Sequence, residues 1–560
     1  MLLVLVASQY LLKPPQGPKP VQPVNDEHAA ALSKPAPKTA QPAALPAIAA
    51  PVHATAVATI TVDTDLYRVI FSNRGAVVTS WVLKHYTDEM GKPLQLINPL
   101  AKDLPPPFSL EINGPKPDFD PNTVLYEQKV ANNGLHIEYV YSDGKTTITK
   151  SFDFSQDSYR LRVRSSVVEN GALVPAFLMW RGGFGDQRIR NAAAVEHTVL
   201  FNTTTGKLET QGAKAAKNGP VTSSGDYAFA GLEDNFFAAV ALPENASRLE
   251  IRTYSDELKV PGEDKPVPYV GAGFATGAED YFSMYVGPKD INILKKVNPN
   301  LAKIIDWGFF GIIAKPIFYW LNWTKEHWTG NYGWAIVVLT LIINLALFPL
   351  RLSSLKSARK MQRIQPQIKA INEKYKNISL RDPRKAQQNQ EIMELYKREG
   401  INPFGGCLPM LVQLPILYAF YRVLYVAIEL RHAPWLWISD LSSAETLPIH
   451  LLPVILVVTQ FYSQKLTPAA GVDPKQQRMM LMMPVIFGFM FYYLPSGLVL
   501  YYLTSNLVGI AQQLVINRFM PAPASPAAPA PAKVRAANAS PGKSPTKTVA
   551  KAPVKRAGKK

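Results

Sequence analysis

The feature that most constrains this chain is a run of 39 residues, Met479–Asn517, which contains no Asp, Glu, Lys or Arg. A helix needs roughly 20 mostly apolar residues to cross the hydrocarbon layer of a bilayer, so this run is long enough for two crossings. Pro495-Ser496-Gly497 divides the run, because Pro and Gly disfavour a helix interior. We therefore predict a tight helical hairpin inside a membrane.

Three further apolar runs precede this hairpin and have near-spanning length: Gly333–Leu350, about Phe404–Ile428, and Thr446–Gln464. Residues 333–517 are thus predicted to form a core of five membrane helices. Residues 1–12 are apolar but too short to span, and no basic segment precedes them as in a signal peptide. They are interpreted as part of an N-terminal anchor helix whose start has been lost or misassigned.

The region between the N-terminus and the core has two different compositions. Residues 13–56 are rich in Pro and Ala and predict an extended linker. Residues 57–288 show period-two alternation, with Val, Ile, Tyr and Thr enriched and turn signals such as Asn73-Arg74-Gly75. This pattern predicts a large antiparallel, all-β sandwich outside the membrane.

Residues 289–332 join the β domain to the first span. Within them, Ile305–Thr329 combines several Trp residues with interleaved charges. Trp rings favour the depth of the lipid head groups, so an amphipathic helix lying in the membrane interface is predicted. A short buried helix at the domain border is the alternative.

The charge distribution predicts the orientation of the chain in the membrane. Residues 351–403 hold 13 Lys/Arg against 5 Asp/Glu, and residues 518–560 hold 10 Lys/Arg and no acid. The 429–445 loop has one Lys/Arg. Because basic loops favour the cytoplasm, the helical hairpin 351–403 and the disordered tail 518–560 are predicted inside and the β domain outside. Basic segments of this kind attract anionic lipids or RNA phosphates.

No catalytic constellation stands out in the sequence. Cys407 is the single cysteine and lies in an apolar region, which is typical of a packing residue. Zinc-type Cys/His spacing, a Walker loop and a GxSxG elbow are lacking. We therefore predict no catalytic residue, metal or cofactor, and a protein that is not an enzyme.

Polar residues inside the predicted spans are the candidate functional residues. Counting from Gly333 at ~1.5 Å per residue, Asn344 lies about 16 Å into the first span and Arg351 about 27 Å. Thr340, Asn344 and Arg351 share one helical stripe, which should face a protein interior or a hydrated cavity rather than lipid. Arg351 has a simpler reading, a basic residue that marks the cytoplasmic membrane edge.

Other spans supply further polar residues that could line a hydrated groove open to the inside. These residues are Gln413, Tyr501, Tyr502, Ser505, Asn506, Gln512 and Gln513. For each of them the alternative is an interhelical hydrogen bond that holds the bundle together, worth under ~1–2 kcal/mol.

Long contiguous motifs resemble the YidC/Oxa/Alb family of membrane protein insertases, in its bacterial form with a large periplasmic domain. They are NPFGGCLPMLVQLPILYAFYRVL (402–424), KMQRIQPQIK (360–369), LPSGLVLYYLTSNLVGIAQQ (494–513) and the junction YVGPKDINILKKV (285–297). The resemblance implies a chaperone-like machine of the inner membrane that inserts and folds nascent membrane proteins, alone or with the Sec translocon. It also implies a hydrophilic groove open to cytoplasm and lipid, without nucleotide hydrolysis.

One position departs from the family pattern. Many members carry an arginine in the first core span, and alignment on FPL places it at Asn344, where this chain has no charge. The groove positions that match the family are Thr340, Gln413, Tyr501 and Tyr502. Whether Arg351 substitutes for the missing arginine stays open at this point.

Two other classes of protein compete with an insertase. A transporter or channel could use the polar stripe, although no inverted repeat is evident among five unequal spans. A scaffold could bind partners through the β domain. The tail is predicted to add electrostatic affinity for ribosomal RNA, with attraction to anionic lipid as the alternative.

Overall fold

The computed structural model describes residues 51–114, 117–186, 195–244, 248–277, 279–376, 382–402, 408–466 and 474–519. The expectations for the N-terminal anchor, for the linker up to residue 50, for Cys407 and for the tail beyond Phe519 fall outside these residues.

The first half of the described chain is built from β-strands. In chain order they are β1 (Thr59–Asp63), β2 (Tyr67–Ser72), β3 (Val77–Thr87), β4 (Pro93–Gln95), β5 (Ser109–Ile112), β6 (Glu127–Ala131), β7 (His136–Ser142), β8 (Thr146–Phe154), β9 (Arg160–Glu169), β10 (Ala172–Leu173), β11 (Ala176–Trp180), β12 (His197–Asn202), β13 (Leu208–Gln211), β14 (Val221–Gly225), β15 (Tyr227–Glu233), β16 (Phe237–Pro243), β17 (Leu249–Leu258), β18 (Val267–Ala275) and β19 (Glu279–Pro288).

These strands form three antiparallel sheets. The largest has the order β13-β12-β15-β16-β19-β9-β8-β7-β6, with β10 beside β9. A four-stranded sheet, β1-β2-β3-β4, and a five-stranded sheet, β14-β17-β18-β11-β5, pack against it. The ring contact between Phe71 and Phe152, 4.8 Å between centroids, joins the four-stranded sheet to the large one. The contact between Phe274 and Phe282 does the same for the five-stranded sheet.

Buried and more exposed side chains alternate along single strands, and this alternation accounts for the layered core. In β8 every second side chain from Thr146 to Phe154 is buried, including Ile148 and Phe152. Lys150 occupies one of these inward positions and is fully buried. Its ammonium group donates to the carbonyls of Gly75 and Phe108 at 2.7 and 2.8 Å. Burial lowers the pKa of Lys150 to about 7.

The second half of the chain is helical. The helices are α1 (Ile291–Val297), α2 (Gly311–Thr324), α3 (Tyr332–Ala346), α4 (Phe348–Lys374), α5 (Arg384–Arg398), α6 (Leu408–Val426), α7 (Leu451–Leu466), α8 (Pro474–Tyr492) and α9 (Ser496–Phe519). Helix α9 packs on α3, α6 and α7, and α8 packs on α7.

The segment between the β domain and the bundle turns sharply. Asp290 caps α1 by accepting hydrogen bonds from the amides of Asn292 and Ile293. A π-helical turn, Lys325–Thr329, follows α2 and ends at Gly330, whose φ is 64°. The chain then bends by 112° between the helical segments Gly311–Thr329 and Tyr332–Ala346.

The helices of the bundle differ in length from the predicted spans. Within the described residues, Ser496–Phe519 is the one helix that is long and apolar enough on its own to cross a bilayer, and the bent pair around Gly330 could supply a second crossing. Shorter apolar helices cover Leu411–Val426, Leu451–Leu466 and Leu481–Tyr492. The predicted break at Pro495-Ser496-Gly497 coincides with the start of α9.

The polar hairpin after the first span consists of α4 and α5. A small apolar cluster holds the two helices together: Ile364, Ile368, Leu395 and Ile401. Gly400, with φ of 59°, follows the end of α5, where an L-residue would be strained.

Candidate functional site

Helix α3 places two polar side chains inside the bundle. Thr340 is fully buried and its hydroxyl donates to the Ile336 carbonyl at 2.6 Å. Asn344 lies one turn further, and its amide donates to the Thr340 carbonyl at 2.8 Å. These bonds use the Thr340 hydroxyl hydrogen and one hydrogen of the Asn344 amide. They leave Asn344 Oδ1 available to a neighbouring helix.

Helix α9 supplies the neighbour. Ser505 Oγ donates to Asn344 Oδ1 at 3.1 Å, and Gln512 Nε2 donates to the Asn344 carbonyl at 3.4 Å. One turn before Ser505, the buried Tyr501 ring stacks on Phe420 of α6 with 4.1 Å between centroids. The α9 positions 501, 505 and 512 are separated by four and seven residues, so they share one helical face.

Helix α6 contributes the third wall. Gln413 Nε2 donates to Tyr501 OH at 2.5 Å and lies 3.5 Å from Ser505 Oγ. We call the seven residues that these bonds connect the polar cluster. They are Thr340, Asn344, Arg351, Gln413, Tyr501, Ser505 and Gln512.

The structure corrects the prediction that Arg351 continues the stripe of Thr340 and Asn344 on a single helix. Helix α3 ends at Ala346, and Arg351 belongs to α4, which begins at Phe348. Pro349 explains the break, because its ring nitrogen cannot donate to the carbonyl four residues earlier. Arg351 nevertheless reaches the polar cluster, since its Nη1 donates to Gln512 Oε1 at 3.0 Å.

Gly509 makes room for the Arg351 guanidinium. A Cβ atom at Gly509 would lie 2.3 Å from Arg351 Nη2, which is closer than any real contact. No local pattern predicts this contact: Gln512 is among the polar residues that could line the groove, but Gly509 is not. The spacing of Gln512 from Ser505 by seven residues was the available signal.

Among the described residues, Tyr502 and Asn506 form no hydrogen bond with the polar cluster. The Tyr502 ring stacks on Phe491 of α8 with 5.0 Å between centroids. Asn506 Nδ2 donates to Thr459 Oγ1 of α7 at 2.9 Å. The predicted groove residues therefore divide between two sides of α9.

The border between the β domain and the bundle holds a second concentration of buried charge. Arg431 Nη2 lies 3.2 Å from Asp186 Oδ2, and both side chains are almost fully buried. Arg431 Nη1 donates to the Thr87 carbonyl at 2.7 Å. Nearby, burial raises the pKa of Glu429 to about 7. This cluster connects the loop after α6 to strand β3 over more than 340 residues of sequence.

The polar cluster has no obvious covalent chemistry. It contains amides, hydroxyls and one guanidinium, which bind polar groups and neither activate a nucleophile nor hold a metal. No group of three or more His, Cys, Asp or Glu residues that could hold a metal ion occurs in the described ranges. The apolar helices form a bundle around buried polar side chains and are joined to an external β-sandwich. This architecture defines a polytopic membrane protein with a large extramembrane domain.

Comparisons with known proteins identify the family. The family model described as "60Kd inner membrane protein" matches residues 323–523, and the one described as "YidC periplasmic domain" matches residues 59–320. "Membrane protein insertase YidC" of Geobacter sp. (strain M21) is 36% identical over 475 residues, which cover 82% of this chain and 85% of the relative. The relative of the same description from Geotalea daltonii is 32% identical and covers 93% of this chain and 98% of its own length.

Among solved structures, one titled "Active YidC insertase crystal structure with the first transmembrane domain resolved" covers 83% of this chain and 94% of its own, with 21% identity and a TM-score of 0.35. On the sequence matches, the chain belongs to the YidC family of membrane protein insertases. The predicted family and the predicted fold class, a helical membrane core with an external all-β domain, are confirmed. The family is one of bacterial inner-membrane proteins with a periplasmic domain, as the sequence predicted.

Proposed function

We propose that this protein inserts and folds inner-membrane proteins, alone or beside the Sec translocon, by admitting their polar segments into a hydrophilic groove open to cytoplasm and lipid. Membership of an insertase family supports the general role. The observation that supports a groove is the polar cluster. Its hydrogen bonds connect Gln413 to Ser505 and Asn344, and Gln512 connects Asn344 to Arg351. Hydrogen-bonding groups are costly in lipid, so a connected set of them supports a path for polar segments.

Arg351 stands at the polar end of this path. It lies in the first turn of the basic helix α4, just after the apolar helix α3, and it is only partly buried. Within the described part of the chain it makes one hydrogen bond, to Gln512, although a guanidinium has five donors. The remaining N–H groups can donate hydrogen bonds to carbonyl or carboxylate oxygens of an entering chain. In this proposal Arg351 serves the role that an arginine at position 344 would otherwise serve.

The proposed mechanism uses no nucleotide, cofactor or covalent step. Polar side chains of the groove and the water they retain replace part of the hydration that a substrate loop loses, which lowers the barrier to its crossing. The apolar segment of the substrate then leaves along the lipid-facing helices, and its partitioning into hydrocarbon supplies the free energy. Short apolar helices such as Leu451–Leu466 favour this route, because a thinner apolar layer is crossed.

An insertion assay with matched variants tests the groove. Cells depleted of their own insertase receive this protein or a variant, and the insertion of a small two-span substrate is measured by protease accessibility. We expect Asn344→Ala and Arg351→Ala to reduce insertion several-fold. Asn506→Ala and Arg363→Ala are the controls, because Asn506 faces α7 and Arg363 is exposed further along α4.

Two outcomes would contradict the proposal. Normal substrate insertion in depleted cells that lack any version of the protein would exclude an insertase, and a scaffold or transporter would then be favoured. Equal loss in Asn344→Ala and Asn506→Ala would mean that the polar groups of α3 and α9 act only by holding the bundle together.

The proposed arrangement in the membrane follows the charge distribution. The β domain of residues 57–288 lies in the periplasm, residues 289–332 form the junction and interfacial helix, and residues 333–517 form the membrane core. The hairpin 351–403 and the tail 518–560 lie in the cytoplasm, where basic side chains attract anionic lipids. Single-cysteine labelling on both sides of the membrane checks this orientation, and labelling of hairpin residues from the periplasm would refute it.

The basic tail is proposed to bind ribosomal RNA and so bring nascent chains to the groove. Its 10 Lys/Arg without acidic residues support a binding strength that falls with salt. Ribosome co-sedimentation over a salt series is the test, with a variant truncated after Met520. An unchanged salt slope after truncation would refute the proposal and leave attraction to anionic lipid as the role of the tail.

A further inference from the structure

A cleft lies where the β domain meets the helices that lead into the membrane. It consists of two adjoining cavities of about 680 and 330 Å³. Both cavities are lined by Leu208 of β13, by Lys303, Ile305 and Trp307, and by Lys315 of α2. Cavities of this size suit a ligand of small-molecule dimensions, and neither belongs to the polar cluster.

The cleft carries a net positive charge. Lys303 and Lys315 line both cavities, and Lys295 lines the smaller one. Asp306 is the acidic residue of the lining, and its carboxylate already accepts a hydrogen bond from Arg422 at 2.6 Å. The charge of the lysines therefore remains available to an anion.

Aromatic rings hold two of the lysines in the cleft. Lys303 Nζ lies 4.3 Å from the centroid of the Phe201 ring. Lys295 Nζ lies 3.3 Å from Tyr319 OH. An ammonium over a ring keeps its donors free on the opposite side, so these contacts position the charge without neutralising it.

The surface next to the cleft is suited to a membrane interface. Phe309 and Ile312 have exposed fractions of 78% and 85%, and Trp320 and Trp323 of the same segment are also exposed. Exposed aromatic and aliphatic side chains beside lysines are typical of head-group depth. The opposite face of α2, including Ile317 and Leu321, is buried against the protein. The cleft thus opens beside the exposed apolar face of α2.

We propose that this cleft binds the phosphate-bearing head group of an anionic phospholipid from the outer leaflet. The three lysines contact the phosphate oxygens, while Leu208, Ile305 and Pro316 contact the glycerol and the first acyl carbons. The bound lipid fixes the β domain relative to α2 and to the membrane surface. The inference rests on the proposed orientation of the chain and is independent of the insertion activity.

Native mass spectrometry of the intact, detergent-purified protein tests this proposal. We expect phosphatidylglycerol adducts to survive at lipid concentrations where phosphatidylcholine adducts are lost. In Lys303→Gln/Lys315→Gln the affinity should fall about 25-fold, since each lysine beside an anionic lipid contributes roughly fivefold. Lys296→Gln is the matched control, because Lys296 is an exposed neighbour of Lys295 that does not line the cleft.

Each alternative result overturns the proposal in a recognisable way. An equal loss in Lys296→Gln would mean diffuse attraction to the basic surface. Equal binding of phosphatidylcholine would mean that the cleft is only a hydrated gap between domains. Displacement of the lipid by millimolar inorganic phosphate would assign the site to a free anion, and displacement by an acidic peptide would assign it to a protein partner. Since no substrate is present, a failure here is separate from a failure of the insertase proposal.

Discussion

The buried ion pair between Arg431 and Asp186 allows a quantitative prediction about how the β domain is held on the bundle. Their side chains are 2% and 1% exposed, so Arg431→Met leaves the Asp186 carboxylate in a nearly dry site. Removing one partner of a buried pair costs roughly 3–5 kcal/mol. At about 1.4 kcal/mol per tenfold change, the equilibrium between docked and undocked border would shift by roughly 140- to 4,000-fold.

Arg422→Met is the matched control for this prediction. Arg422 of α6 and Asp306 of the junction segment also form an ion pair, but the Asp306 side chain is 62% exposed. An exposed pair contributes about 1 kcal/mol or less, so the shift should be about fivefold at most. The double variant Arg431→Met/Asp186→Asn should recover much of the loss, because it removes both charges of the buried pair.

Hydrogen–deuterium exchange on the intact protein measures the effect. Amide hydrogens in the loop after α6 should exchange faster in Arg431→Met. One of them is the Leu441 N–H, which donates to the Ala433 carbonyl at 3.0 Å. Peptides from β8, inside the β core, serve as the internal reference. Unchanged exchange of the loop in Arg431→Met, or a double variant as impaired as the single one, would refute the reasoning.

Three further predictions concern single positions. Gly509→Ala places a Cβ 2.3 Å from Arg351 Nη2, so it should reduce insertion about as much as Arg351→Ala in the two-span assay. Tyr501→Phe keeps the stack on Phe420 and should cost about 1 kcal/mol of stability, whereas Tyr501→Ala should cost about 3–5 kcal/mol, as checked by thermal unfolding. Burial raises the pKa of Glu429 from 4.5 to about 7, so the folded state binds the extra proton. Border stability should therefore fall as pH rises from about 4.5 to about 7, and Glu429→Gln should weaken this dependence in exchange measurements.

The sequence alone was sufficient for features that depend on local periodicity and on solvent. Period-two alternation predicted the β domain because each strand has one buried face, as β8 does. The charge-free run predicted two helices separated at Pro495-Ser496-Gly497, because lipid excludes charge and Pro and Gly interrupt helices. Polarity inside apolar helices predicted Asn344, Gln413 and Tyr501 as site residues. In the structure, Gln413 contacts Tyr501, and Ser505 connects Gln413 to Asn344.

Tertiary packing decided which faces meet, since periodicity gives the face of a helix but not its neighbour. Tyr502 and Asn506 are polar and directly follow Tyr501 and Ser505 in the sequence. They nevertheless contact α8 and α7, whereas Ser505 contacts Asn344. Arg351 meets Gln512 across 161 residues only because α3 breaks before Pro349 and Gly509 leaves space for the guanidinium. The Arg431–Asp186 pair joins residues 245 positions apart. Contacts of this range depend on the path of the whole chain, and no local pattern encodes them.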